Sequence, residues 1–170
     1  MQISANITNT NLRAFLALIQ HTEGTDKYLN PYKVMFTGKI FNDLSKHPNT
    51  LNVSGRYRST AAGAYQFLKG TYDSLNMPNM LPLSQDLAAI QLLKNVGAYN
   101  FVIAGNFPAA INKANKIWAS LPNSPYGQPT FKMPVVLDFL KKNNVTISIG
   151  LTSVLLFLAS AYMVVFKIIK

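Results

Sequence analysis

Residues 12–26 read LRAFLALIQHTEGTD, and the rest of the chain is best understood outward from them. Leu12, Phe15, Leu16 and Ile19 recur at helical spacing and predict a helix with one apolar face. Thr10 or Asn11 is placed to cap its start. Glu23, the only glutamate in the sequence, follows Ile19 by four residues and so continues that face. Gly24 supplies the stop, because glycine accepts the left-handed conformation that ends many helices. A carboxyl group at the C-terminal end of an apolar stripe is partly desolvated and lies near the negative end of the helix dipole. Both effects disfavour its charged form, so its pKa is expected to rise, as a general acid working near neutral pH requires. Most perturbed carboxyls are structural, so this position alone assigns no function.

The 170 residues suffice for one domain with a real core. Sixteen Lys and Arg against six Asp and Glu leave a formal charge of +10, which favours an anionic partner: nucleic acid, lipid head groups, or a cell-wall polymer bearing carboxylates. The basic residues are spread along the chain rather than gathered in a run, so no dedicated nucleic-acid patch is expected. With no cysteine there is neither a disulfide framework nor a thiolate metal site. The N-terminus lacks a basic leader followed by an apolar core, so it does not read as a secretory signal.

Taken in order, residues 27–48 are turn-rich, and Val34-Met35-Phe36 and Ile40-Phe41 read as two short strands of a hairpin around Thr37-Gly38. Asp43 and His47 lack further ligands at sensible spacing and read as a polar turn, not a metal pair. Residues 49–60, NTLNVSGRYRST, form a basic, aromatic loop that suits an anionic sugar polymer and equally suits a plain surface hairpin. In residues 61–76, Ala64, Phe67, Leu68, Tyr72 and Leu75 recur at helical spacing, weakened by Gly63 and Gly70. Gln66 is a long amide in that buried-looking run and needs a hydrogen-bond partner, backbone or ligand. Residues 77–82 hold two prolines and break the chain. A helix is expected over 84–96, with Ser84 as its cap and Asp86 in its first turn. Another opens at Phe107-Pro108 and carries Ile111, Ile117 and Trp118. Residues 123–133 form a proline-bearing loop, and residues 135–142 a last amphipathic helix.

The tail differs. No charged residue occurs from 145 to 166, a length that spans a bilayer as a helix, with lysines on both flanks. The expected organisation is therefore a domain over 1–144 and a C-terminal transmembrane anchor over 145–170. Setting aside Lys167 and Lys170 removes only two of the ten formal charges, so the tail is not what makes the chain basic. Two lysines at each end give the positive-inside rule no vote on orientation.

Several blocks go further than periodicity: Glu23-Gly24-Thr25-Asp26; Gly38, Phe41, Ser45 and His47-Pro48; Ser59-Thr60-Ala61-Ala62-Gly63-Ala64-Tyr65-Gln66; Ser84-Gln85-Asp86; Ile117-Trp118-Ala119-Ser120-Leu121-Pro122; and Tyr126-Gly127-Gln128. In this order and spacing, over roughly residues 11–139, the chain resembles the bacteriophage lambda lysozyme family of endolysins. The resemblance implies an α+β, mostly helical fold: a lysozyme-like two-lobed domain with a small β element and a sugar-binding cleft between the lobes. It implies lytic transglycosylase activity on the glycan strands of peptidoglycan. The β-1,4 bond between N-acetylmuramic acid and N-acetylglucosamine would be cleaved without water, leaving a 1,6-anhydro end. The family's catalytic glutamate falls on Glu23, and its cleft lips on about residues 51–58 and 123–129. Ser59, Thr60, Gln66 and Tyr126 are carried over as substrate contacts. No cofactor is implied.

The residues agree with that chemistry. Glycosidases that use two carboxylates need a second acid, and here only Asp26 and Asp43 lie near Glu23 in sequence. One acid suffices if the sugar's own C6 hydroxyl attacks. Asp26 reads first as a structural loop residue, and Trp118 first as core rather than as a platform for sugar rings. The tail departs from the family pattern. It predicts a single-pass membrane protein contacting a lipid bilayer through residues 145–166, in a virion membrane with capsid or membrane proteins as partners, or alternatively in the host inner membrane. A different class of function, a non-catalytic glycan-binding or structural protein of a virion, fits the same anchor. A nucleic-acid binder would rest on net charge alone.

Overall fold

The computed structural model describes residues 2–143. Its centre is α1, Thr10–Thr22. The helix is buried on nearly every side: Ala14, Leu18 and Gln20 lie inside together with Leu12, Phe15, Leu16 and Ile19. A continuous apolar run, rather than one stripe, is what a central helix needs. Its cap is Asn9, whose side chain accepts from the Leu12 N–H at 2.9 Å, one residue before the earlier of the two expected positions. Around it pack α3, Pro82–Asn95, α4, Tyr99–Ile103, and α5, Phe107–Ala114. The chain is helical again from residue 133 to the end of the described residues, and Val136 and Leu140 of that helix join the core.

The β element lies elsewhere than expected. Two short antiparallel strands, β1 (Asn52–Ser54) and β2 (Tyr57–Ser59), form the hairpin that the sequence left open, with Asn52 opposite Ser59. Val34 and Ile40 make only an isolated bridge around the Gly38 turn. Met35 N–H donates to Lys39 O at 2.8 Å and Phe41 N–H to Lys33 O at 3.0 Å across that turn, and the segment also has distant partners: Phe36 N–H donates to Ala61 O at 2.9 Å and Gly63 N–H to Val34 O at 2.8 Å.

The helix expected over 61–76 shrinks to α2, Lys69–Ser74. Gly63 and Gln66 both have positive φ, +81° and +49°, which a helix cannot accommodate. At Gly63 a Cβ would stand 2.2 Å from the buried Gln85 Oε1, the atom that accepts the Ala64 N–H. Only glycine fits both demands. Helix α3 starts two residues before Ser84, with Pro82 in its first turn, where a missing N–H costs nothing. Ser84 instead donates its hydroxyl to Asn79 Oδ1. Helix α5 ends at Ala114, so Trp118 sits in the following turn and donates its indole N–H to Tyr65 O at 3.1 Å.

Asp86, expected in the first turn of its helix, falls beyond the first turn of α3 and is fully buried. It accepts from Tyr65 OH at 2.5 Å, Tyr32 OH at 2.8 Å and the Ser4 N–H at 2.7 Å, which ties the N-terminal segment to the core. His47 spends both ring nitrogens on backbone, Nε2 on Phe67 O and Nδ1 on the Asn49 N–H, which leaves none for a metal.

The transmembrane expectation finds no support here. Among the described residues no helix is long and apolar enough to cross a membrane. The longest named helix, α3 with 14 residues, spans about 21 Å against a hydrocarbon core of about 30 Å. The expected span, 145–166, lies outside the described residues.

Candidate active site

Glu23 is the C-cap of α1, its own N–H still bonded to Ile19 O at 2.9 Å, and Gly24 turns the chain away at φ +69°. The turn is locked below: Thr25 is buried and donates its hydroxyl to Ala64 O at 2.7 Å, joining the end of α1 to the segment that carries Gln66. The helix stop therefore fixes where the carboxyl points. It points into a cleft with two arms. One, of about 540 Å³, lies between the β2 strand and the turn after α5; the other, of about 370 Å³, runs along the Gly38 turn. Glu23, Phe36 and Gln66 line both.

The carboxyl accepts a hydrogen bond from Ser120 Oγ at 2.6 Å. Burial among the cleft walls pushes its pKa up from 4.5 to about 7, against the Ser120 bond, which pulls it down. An acid poised there can give a proton and take one back near neutral pH. Glu23 is the only carboxylate among the residues lining the two arms. Asp26 turns aside, its Oδ2 2.8 Å from His21 Nδ1, while Phe139 of the last helix stacks on that imidazole at 4.4 Å.

Of the residues expected to touch substrate, Ser59 and Gln66 line the cleft with Glu23. Gln66 donates its amide to Val34 O and Gly63 O, so its side chain is held across the floor between the arms. Thr60 and Tyr126 lie outside the lining. Thr60 Oγ1 accepts the Lys69 N–H at the start of α2, and the Tyr126 hydroxyl is tethered to Lys116 O at 2.6 Å. That loop faces the cleft through Gln128 and Pro129 instead. Trp118, although core-packed and only 3% exposed, also lines a wall.

Ser120 is the residue that sequence reasoning passed over. It lies 97 positions from Glu23, so no spacing rule joins them, and its membership of the Ile117–Pro122 block was the one signal. Ser120→Ala is expected to move the alkaline limb of the pH–activity profile to higher pH, since the bond it removes favours the carboxylate. Loss of positioning lowers the rate about tenfold. Initial rates across pH 5–9 check both.

The comparisons with known proteins agree with this geometry. Residues 13–147 match the family described as Endolysin. The endolysin of Escherichia phage lambda is 35% identical over 149 residues, covering 82% of this chain and 94% of that protein. The endolysin of Escherichia phage P2 is 38% identical over 141 residues, 71% of this chain and 85% of that protein. A solved structure of bacteriophage lambda lysozyme complexed with a chitohexasaccharide superposes with a TM-score of 0.74 at 34% identity, over 80% of this chain and 95% of the other. A second lambda lysozyme structure gives 0.67 at 32% identity, over 83% and 94%. These relatives, with the lack of any membrane-length apolar helix among the described residues, correct the single-pass membrane localisation read from the tail. The chain belongs to the endolysin family of phage lambda lysozyme type, enzymes that degrade peptidoglycan.

Proposed function

We propose that the protein is a lytic transglycosylase acting on the β-1,4 bond between N-acetylmuramic acid and N-acetylglucosamine. The observation that carries this is the solitary acid: Glu23, with a pKa of about 7, and no second carboxylate in either arm of the cleft. Protonated Glu23 donates to the bridging oxygen as the C1–O bond breaks and positive charge builds on the ring. Glu23, now ionised, accepts the proton of the same sugar's C6 hydroxyl as O6 bonds to C1. The acid is restored, no water is consumed, and the product carries a 1,6-anhydro ring. A two-carboxylate hydrolase would need a second acid within about 10 Å to act as nucleophile or to activate water.

The cleft suits an extended glycan: its two arms leave room for sugars on both sides of Glu23, and we assign Ser59 and Gln66 as polar contacts and Trp118 and Tyr57 as apolar walls. The relative solved with a chitohexasaccharide binds a chain of sugars, which supports the same kind of occupant here. Ser120 donates to Oε1 and so holds the carboxyl in place while leaving the other oxygen, Oε2, to carry the proton. Digestion of purified peptidoglycan by the full chain, followed by mass spectrometry, is expected to give muropeptides one water lighter than hydrolysis products. Reducing ends would show a hydrolase.

A further inference from the structure

Two cations flank Glu23, one in each arm. Arg58 lines the larger arm and Lys27 the smaller, and besides Glu23 they are the only charged residues in either lining. The Lys27 side chain folds back along Gly24, its Nζ 3.3 Å from where a Cβ on that glycine would stand. In the row Arg56-Tyr57-Arg58, Arg56 is engaged: its guanidinium lies 5.3 Å over the Tyr57 ring and donates to the Tyr57 hydroxyl at 3.2 Å. Arg58 has no such tie. Among the described residues no carboxylate stands within ion-pairing distance of Arg58 or Lys27. Neither cation serves Glu23, whose shift traces to burial and to Ser120 alone.

We infer that Arg58 and Lys27 form a carboxylate-reading pair that selects glycan strands bearing acidic groups on their muramic acid units. This rests on the proposed function. Muramic acid occurs at every second sugar and carries a lactyl group, free or extended by a stem peptide. Both forms present carboxylates alongside the strand, and one on either side of the cleaved bond meets one cation in each arm. A planar guanidinium matches a carboxylate with two parallel hydrogen bonds, and the ammonium acts as a point charge. Fewer charges would serve a neutral polymer equally well, so the pair turns a general sugar cleft into one that discriminates.

The test uses the full chain carrying Glu23→Gln, so that strands bind without being cut. Calorimetric titration compares three muramyl tetrasaccharides: one with free lactyl carboxylates, one with the same groups as methyl amides, and one with stem peptides. The parent is expected to bind the charged strands more tightly than the amidated one. Arg58→Gln is expected to lower that affinity ratio about threefold to tenfold, Lys27→Gln by a similar or smaller factor, and Arg58→Lys by less than Arg58→Gln. A fall on the stripped strand assigns the lactyl carboxylate; a fall confined to the peptide-bearing strand assigns the stem peptide. Equal weakening of charged and amidated strands would overturn the pair and leave the transglycosylase reading standing. A parent that binds none of the three would overturn both.

Discussion

Glu23→Gln is expected to cut peptidoglycan cleavage by about a thousandfold while making the protein more stable above neutral pH. The amide keeps the shape and can still accept from Ser120 Oγ, but it has no proton to give to a leaving oxygen. General acid–base catalysis contributes roughly 10²–10⁴-fold, and here one group performs both transfers. The stability effect follows from the sign of the pKa shift. Below the ordinary carboxyl value of 4.5 the group is protonated in folded and unfolded chains alike and contributes no difference. Between 4.5 and about 7 the unfolded chain ionises while the folded one holds its proton, so stability falls as pH rises through that window. Full burial would make the penalty roughly 3 kcal/mol, and partial contact with solvent in the cleft reduces it to about 1–2 kcal/mol. Thermal melts should therefore show the variant matching the parent at pH 4 and exceeding it at pH 8. Equal melting at pH 8 would mean that the carboxyl is not desolvated. The active residue is held at a cost to the fold, a common trade between activity and stability.

Asp86→Ala is expected to cost about 3–5 kcal/mol, the largest stability loss of any single polar change considered. The carboxylate is fully buried and accepts from Tyr32, Tyr65 and Ser4. Alanine leaves those donors facing a void and releases the N-terminal segment. Asp86→Asn keeps the volume and acceptors for the tyrosines, but turns an NH₂ toward the Ser4 N–H, so a smaller loss of about 1–2 kcal/mol is expected. Urea unfolding measures both. The effect reaches the cleft, because Tyr65 O receives the indole N–H of Trp118 and Trp118 forms part of the wall beside Glu23. An Asp86→Ala loss below about 1 kcal/mol would show that the network is incidental.

The central helix and its acid were legible because their determinants are local: apolar residues three and four apart, then a glycine. The β pairings were legible only in part. The hairpin of residues 52–59 stood as one of two open readings, whereas the bonds of Phe36 to Ala61 and of Gly63 to Val34 join segments about 27 positions apart, and no alternation within either announces them. Residues 61–68 carry helical spacing, yet Gly63 takes a positive φ where it fits against Gln85, and Gln66 takes one where its amide reaches Val34 O and Gly63 O, tertiary demands that override local preference. Asp86 falls beyond the first turn of α3, because the helix starts at Pro82 and not after Ser84, and its burial depends on two tyrosines supplied by other parts of the chain. At the site, resemblance named Glu23, Ser59 and Gln66, which line one cleft, without giving their geometry. Tyr126 lies outside the lining, with its hydroxyl bonded to Lys116 O. Ser120 and Lys27 emerge only once chain segments far apart in sequence meet around one carboxyl, whereas Arg58 belongs to the basic loop that the sequence already suited to an anionic sugar polymer.

Because Glu23 is the only glutamate in the sequence, the protein labelled with carboxyl-¹³C glutamate should give a single protein resonance for that side chain. Its titration is the most direct measurement of the acid itself. A midpoint near 7 is the expected result, falling back toward the ordinary value on unfolding in urea. A midpoint near 4.5 in the folded protein would leave the carboxyl ionised at neutral pH, unable to donate, and would contradict the single-acid mechanism.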